Sequence, residues 1–343
     1  VQTLVPERPY ADRIRRLPPI EGTTNNTPRA LITGIAGQDG SYLAELLVGK
    51  GYDVHGIVKS DGPRDRLAAV QDRIAIHRID LTDPAAVREL LASILPDEVY
   101  NLAAPSVVGA SWNDPHGTVE FMTGSVTSLL EAIVAEKPAT RFFQASSSEI
   151  FRGTGVSPQS EMTAATPTSP YGVGKVAGHT LVNAYRERYG VHASSGILYN
   201  HESPRRPVDF VPGKIVNAAV QIKLGNQDEL VLGDQTARRD WGFAGDYVDA
   251  MWQMLQHDDP DDYVIATGKI HSVADLVNRA FDLAGIDPEG HVRTDPQFVR
   301  VGDEAQLVGD PSKIAEVIGW RASTSFDDLV KIMFDETLAA AQA

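Results

Sequence analysis

The sequence predicts an α/β fold, a doubly wound parallel sheet followed by a smaller mixed C-terminal lobe. Two observations carry this. Short apolar runs alternate with helical patterns between residues 29 and 145, and such alternation calls for a parallel sheet with helices on both faces. A glycine-rich turn stands between the first strand and the first helix, where a sheet of this kind holds a dinucleotide.

In order, 29–32 reads as a buried strand, 33–40 as the turn, and 38–50 as a helix with Leu43, Leu46 and Leu47 on one face, stopped by Gly51. Strands follow at 54–58, 74–77, 98–102 and 141–145, with helices at 84–95, where Asp83 fits the N-cap, and around 117–136. Right-handed crossovers then put ligands outside the carboxyl ends of the strands. The alternation fades after Tyr199; Pro204, Pro207 and Pro212 mark a loop, and helices are expected near 211–224, 246–256, 273–284 and 326–340. The expected organisation is an N-terminal arm (1–27), a Rossmann-type cofactor domain (28–198 plus about 236–268), and a substrate lobe (about 199–235 plus 269–343). No internal repeat or low-complexity tract interrupts it.

Composition narrows the function. The 343 residues are 42% hydrophobic and 7% aromatic, a globular balance. A net charge of −15 opposes nucleic-acid and anionic-membrane partners, so an anionic ligand would have to be met by local arginines. The absence of cysteine excludes disulfides and thiolate metal sites and fits a cytoplasmic location. No apolar run of about 18–20 residues is expected. Residues 1–27 mix Arg8, Arg13, Arg15 and Arg16 with three acids and four prolines and lack a secretory apolar segment. No metal is expected: the Asp258, Asp259, Asp261, Asp262 run lacks the glycine and glutamate of a calcium loop, and reads as a solvated turn at Pro260.

The turn Thr33-Gly34-Ile35-Ala36-Gly37-Gln38-Asp39-Gly40 spaces three glycines for a tight bend, for backbone approach to a pyrophosphate, and for close helix–strand packing. The following helix offers unpaired N–H groups to the phosphates. The second strand runs into Val58-Lys59-Ser60 with no acid before Asp61, which favours NADP over NAD. Asp80, after the third strand, is expected to reach the adenine amino group, and Leu81 beside it is expected at the cofactor.

Tyr171 and Lys175 lie four apart behind Ser169-Pro170, a strong helix start, and so share a helical face. A free tyrosine titrates near 10, too high for a base at neutral pH; a nearby ammonium and a positive nicotinamide ring would stabilise its phenolate. A chance Y-x-x-x-K is commoner than a functional one, and the upstream glycine turn tips the balance. Ser147 and Glu149, two apart at the end of the fifth strand, are expected on one side of an extended backbone. There the hydroxyl would hold a substrate alcohol and the carboxylate would move a carbon-bound proton. The bland alternative is a polar strand end.

Segments 30–55, 109–115, 141–151, 169–175, 192–204, 239–254 and 262–268 resemble GDP-mannose 4,6-dehydratases of the extended short-chain dehydrogenase/reductase superfamily. The most specific are Asn200-His201-Glu202-Ser203-Pro204 and Arg239-Asp240-Trp241-Gly242. The resemblance implies a redox-neutral sequence. Tyr171 deprotonates the C4 hydroxyl as hydride passes to a retained NADP, and Glu149 moves a proton from C5 to the departing C6 hydroxyl. Hydride then returns to C6 while Tyr171 protonates C5. Ser148-Glu149 matches this group better than the Asp-Glu of dTDP-glucose dehydratases, and a 4-epimerase would leave the acid idle. By the same resemblance, Leu102, Ala103, Ala104, Ser106, His201 and Arg206 meet NADP. Ser106, Asn200, Val211, Lys214, Arg239, Arg300 and Asp303 meet the sugar nucleotide, with Arg205 and Arg238 adding positive charge. A homo-oligomer, dimer or tetramer, is implied as well.

Departures gather at the sugar pocket. Pro105 stands where glutamine is usual, Val211 where threonine is, Asp303 where glutamate is, and Arg152 where glycine is; the loop through Arg66 is shorter. Two alternatives stay open: the same chemistry on another nucleotide sugar such as a GDP-heptose, and a non-catalytic NADP sensor.

Overall fold

The computed structural model describes residues 27–60, 62, 64–298 and 306–342. Residues 1–26 of the expected arm, Asp61, Arg300 and Asp303 lie outside the described residues.

The sheet lobe begins β1 (Arg29–Thr33), α1 (Gln38–Gly49), β2 (Asp53–Val58), β3 (Ile74–Arg78), α2 (Pro84–Ile94) and β4 (Glu98–Asn101). It continues through α3 (Pro115–Glu136), β5 (Arg141–Ala145), α4 (Pro170–Tyr189) and β6 (Ala193–Leu198). Then come β7 (Asn200–Glu202), α5 (Val211–Lys223), β8 (Leu230–Leu232), β9 (Arg238–Arg239), β10 (Trp241–Phe243) and α6 (Ala244–Gln256). The chain closes with β11 (Tyr263–Ile265), β12 (His271–Ser272), α7 (Val273–Ala284), β13 (Val292–Thr294), α8 (Ser312–Val317) and α9 (Phe326–Gln342).

Seven parallel strands pair in the order β11-β6-β5-β4-β1-β2-β3. Strand order reverses between β1 and β4, so a crevice opens at their carboxyl ends. Side chains alternate across the sheet. Leu31, Val99 and Phe142 join one core with Val87, Leu91, Leu129 and Ile133 from α2 and α3. Their neighbours Ile32, Tyr100 and Phe143 join the opposite core with Leu43, Leu47, Val248 and Met251 from α1 and α6. That second core runs on without a break into the C-terminal lobe through Ile215, Val220, Phe281, Val330 and Phe334.

Each predicted helix forms. Ser169 caps α4 by accepting from Gly172 N at 3.1 Å, with Pro170 in the first turn, and Asp83 caps α2. Two features differ from expectation. Within its 22 residues the helix α3 has an 18-residue window long and apolar enough, by length and composition, to cross a membrane, although no such run was expected. Half of that window is buried; α3 lies between α2 and α4, and its apolar content serves two packing faces. The strand β6, unread in the sequence, is buried along its whole length beside β5.

Acids around Pro260 join elements together. Asp262 accepts from Arg186 at 2.7 Å and from Ser195 N at 3.0 Å, and Asp261 pairs with Lys313 at 2.6 Å.

A Cβ on Gly40 would lie 2.6 Å from Ile35 Cα and would also strike the Gly34 carbonyl, both backbone. One on Gly124, within α3, would meet only Thr82 Cγ2 at 3.8 Å. Gly40→Ala is expected to destabilise by about 1–3 kcal/mol through overpacking. Gly124→Ala is expected to stabilise by up to about 1 kcal/mol through helix propensity. Urea unfolding of the two variants beside the parent checks both signs.

Candidate functional site

A cavity of about 800 Å³ follows the carboxyl ends of β1, β2 and β4. It is walled by Gly34, Gly37, Gln38, Asp39, Gly40, Lys59, Asp80, Leu81, Leu102, Ala103, Ala104, Ser106 and Arg206, all expected there from sequence. Its floor is made by close backbone approach. Gly34 has φ +67°, and a Cβ on it would lie 3.0 Å from Ala103 Cα. The β4 end is fixed by Thr33, whose hydroxyl accepts from Leu102 N and Ala103 N at 3.0 Å each and donates to Asn101 Oδ1 at 2.8 Å. Gly37, at the N-cap of α1, provides no side-chain cap, so the helix's first N–H groups suit an anion.

Sequence reasoning missed two cations on this wall, Arg64 and Arg66. With Lys59 and Ser60 they line the cavity beyond β2; Arg66 also donates to the Ala36 carbonyl at 3.4 Å. The signal was present as three cations within eight residues of the strand end. Asp80 accepts from Thr82 N and Oγ1 at 3.0 and 2.8 Å and faces Lys59 at 3.9 Å.

His201 is not on the cavity wall. It stands behind it, with Nε2 2.9 Å from Asp39 Oδ2 and Nδ1 2.7 Å from the Tyr199 carbonyl, stacked on Tyr247 at 4.6 Å. Both ring nitrogens face acceptors, which requires the imidazolium. Burial opposes that charge, but Asp39's charge and hydrogen bond outweigh it and raise the His201 pKa. Burial likewise pushes Asp39 up, and His201 more than reverses this, holding the carboxyl below its ordinary value. Beside this pair, Gln38 donates to the His201 carbonyl at 3.1 Å and accepts from the Ser203 hydroxyl at 2.9 Å. Thus the glycine turn is tied to β7.

The four candidate reacting residues come together where β5 ends. Lys175 Nζ donates to the Ala145 carbonyl at 2.7 Å and lies 5.5 Å from the Tyr171 ring centre. Tyr171 is hydrogen-bonded to Ser147, and feels the charges of Asp39 and Arg206 on the cavity wall. Burial pushes the phenol up to about 12, against the pull of the Ser147 hydroxyl, and Glu149's charge adds to the rise. Expectation had the phenolate stabilised by a nearby ammonium together with a positive nicotinamide ring. Of that pair the chain itself supplies Lys175, whose ammonium burial depresses to about 8. Ser147 and Glu149 are not on one extended strand either. Ser147 caps a short 3₁₀ turn, Ser148–Phe151, and accepts from Glu149 N at 3.2 Å. Capping, rather than strand alternation, brings the two together. The carboxylate of Glu149 is gripped by Arg152.

A second, smaller cavity of about 150 Å³ adjoins through Arg206 and Phe210, which line both. Asn200, Val211 and Arg239 line it as expected. Arg206 is held there by Glu202 at 3.0 Å and by stacking 3.7 Å over Phe210. Two expected cations go elsewhere. Lys214 donates to the Val231 carbonyl at 2.7 Å. Arg205 binds Glu45 and Ser41 on α1, with its guanidinium 3.9 Å over Tyr42, so its charge is spent joining the lobes. Asp240 anchors the Arg239 segment by accepting from Thr267 N and Gly268 N at 3.0 and 2.9 Å, and Arg238 is exposed beside it.

Comparison with known proteins gives the following. The family model described as GDP-mannose 4,6 dehydratase matches residues 31–333. GDP-mannose 4,6 dehydratase 2 of Arabidopsis thaliana is 44% identical, over 91% of this chain and 87% of its own. GDP-mannose 4,6-dehydratase of Vibrio cholerae is 39% identical over 92% and 95% respectively. Among solved structures, a UDP-glucose 4-epimerase from Thermotoga maritima superposes with a TM-score of 0.81 at 23% identity, over 92% of this chain and 100% of that one. A dTDP-glucose 4,6-dehydratase from Streptomyces venezuelae, with NAD bound, gives 0.79 at 24%, over 89% and 95%. At those identities the structural matches speak for the fold.

The His201 ion pair gives a test. A raised histidine pKa stabilises fully below the unfolded value, 6.5, and the contribution is lost as pH rises through the folded value. The lowered Asp39 stabilises above its unfolded value of 3.8 and loses its contribution as pH falls through the folded value. His201→Gln is therefore expected to cost about 1–3 kcal/mol at pH 6, with a smaller deficit once the parent's histidine deprotonates. Chemical denaturation from pH 5 to 10 reads it.

Proposed function

The chain belongs to the GDP-mannose 4,6-dehydratase family, and we propose that it converts GDP-mannose to GDP-4-keto-6-deoxymannose and water on a retained NADP, as a carbon–oxygen lyase. The observation that carries this reading is the meeting of Ser147, Tyr171, Lys175 and Glu149 at one strand end, where Tyr171 feels the charges of Asp39 and Arg206 from the long cavity's wall. The residues present fit a nicotinamide dinucleotide. Its pyrophosphate would be held by the glycine turn, where a Cβ on Gly34 or Gly40 would crowd backbone, and by the uncapped start of α1. Lys59, Arg64 and Arg66 at the β2 end favour a 2′-phosphate and hence NADP over NAD. When bound, the cofactor supplies an acceptor and donor of hydride.

The chain's own residues do the rest. Ser147 holds the C4 hydroxyl while Tyr171 takes its proton. Lys175 holds a positive charge on the same helical face as that phenol. Glu149 takes the proton beside the new ketone and delivers it to the C6 hydroxyl as that leaves. The guanosine diphosphate is assigned to the second cavity, with Asn200, Val211 and Arg239 on its wall; Arg300 and Asp303 are proposed as nucleotide contacts on the family resemblance alone. The sheet lobe carries the cofactor and the C-terminal lobe the nucleotide. Assembly as a homo-oligomer, dimer or tetramer, and a cytoplasmic location belong to the same reading. Pro105 on the cavity wall, lacking a side-chain hydrogen-bonding group, is the feature that favours another nucleotide sugar.

Purified protein incubated with GDP-mannose, first without and then with NADP, is expected to give a product lighter by one water. Activity without added NADP would mean a retained cofactor. Binding of NADP with no product would redirect the substrate search to a panel of sugar nucleotides. Tyr171→Phe is expected to lower kcat by about 10²–10⁴-fold with KM little changed, and steady-state kinetics with mass detection would read both.

A further inference from the structure

We propose that Arg152 is a positioning residue for Glu149: its guanidinium fixes the plane of the carboxylate and leaves Oε2 as the oxygen that carries the proton. The inference rests on the dehydratase reading and assigns a role to a residue outside the four reacting groups.

The geometry begins with the backbone. Ser148–Phe151 is a 3₁₀ turn ending at Arg152, and in such a turn residues three apart lie one above the other. Arg152 therefore stands directly over Glu149. Nη2 donates to Oε1 at 2.8 Å and Nε to Oε2 at 3.3 Å, so one side of the fork takes both oxygens. Both side chains are shielded, 15% and 14% exposed, where a paired charge is screened little. The turn is rigidly seated: Thr166 N donates to the Ile150 carbonyl at 2.7 Å, and Gly153 N to the Thr166 carbonyl at 2.8 Å. The partners sit on one short turn, so the pair ties no distant elements together and adds little to the tertiary fold. Its effect is local. A free glutamate samples several rotamers, and ordering it costs side-chain entropy; the two-point grip meets that cost before substrate arrives.

The unequal contacts choose the oxygen. A carboxylate offers roughly four lone-pair sites, and the long Nε contact engages Oε2 weakly. In the elimination, Oε2 accepts the C5 proton while the C5–H electron pair becomes the C5–C6 double bond. The C6–O bond breaks, and the same proton goes to the departing hydroxyl, which leaves as water.

The test uses the cofactor-loaded enzyme with GDP-mannose deuterated at C4 or at C5. Arg152→Gln is expected to lower kcat about ten- to a hundredfold with KM within about threefold. The loss should concentrate on one step, so that the C5 isotope effect grows while the C4 effect falls toward unity. Arg152→Lys, which grips one oxygen, should recover part of the rate. An equal slowing with both isotope effects as in the parent, or a raised KM at constant kcat, overturns the proposal. If the parent itself leaves GDP-mannose untouched, the proposed activity fails alone. The pair is then read in ¹³C-glutamate spectra, with the Glu149 signal identified by its loss in Glu149→Gln. A shifted, broadened signal in Arg152→Gln supports the grip, and an unchanged one refutes it.

Discussion

One helical face fastened to one strand end carries the reacting groups. Tyr171, Lys175 and His179 recur every four residues along α4. They bond to the last residue of β5 and the two that follow it: Lys175 to the Ala145 carbonyl at 2.7 Å, His179 to the Ser146 hydroxyl at 3.3 Å, and Tyr171 to the Ser147 hydroxyl. His179 is itself held by Asp262 at 3.2 Å, which Arg186 of the same helix also grips. Helix and strand cannot slide past each other without breaking buried polar contacts, and an unpaired buried donor costs about 1–3 kcal/mol. The relative placement of the phenol, the ammonium and the serine hydroxyl follows from that register.

A second tie sets the cofactor turn against this frame. Gln38 and Asp39, which wall the cavity, are bonded to His201 and Ser203 on the chain leaving the sheet. Arg205, three residues further along the chain than Glu202, reaches back to α1. The glycine turn is thus held from behind by an imidazolium while its front faces the cavity. This arrangement also bears on the net charge of −15. Lys59, Arg64, Arg66 and Arg206 all line the same cavity, and within a low-dielectric cleft near charges outweigh a distant field. A nucleotide polyanion meets cations locally although the molecule as a whole repels it.

Much of this was legible in order along the chain. Hydrophobic period gave the strands and helices of the sheet lobe, because a strand buried on both faces and an amphipathic helix leave local signatures. Glycine spacing marked the cofactor turn, and Ser169-Pro170 marked the start of α4. The edge strand β11, three residues long, left too little pattern to read. Arg64 and Arg66 were visible as charge, but their place on the cavity wall depends on how the loop after β2 folds back.

What the sequence by itself determined is whatever a residue's near neighbours decide: element type, the caps, the shared face of Tyr171 and Lys175, and the glycine turn. What only tertiary structure decided is where each charge is spent. Arg205 looked like a phosphate ligand and is instead bound to Glu45, 160 residues away. His201 looked like a cofactor contact and instead braces Asp39 from a distance of 162 residues. Even Arg152, only three residues from Glu149, finds its carboxylate because the segment is wound as a 3₁₀ turn rather than extended. A charge pairs with the nearest opposite charge in space. Spatial nearness between distant segments is set by packing of the whole core, which no local window contains.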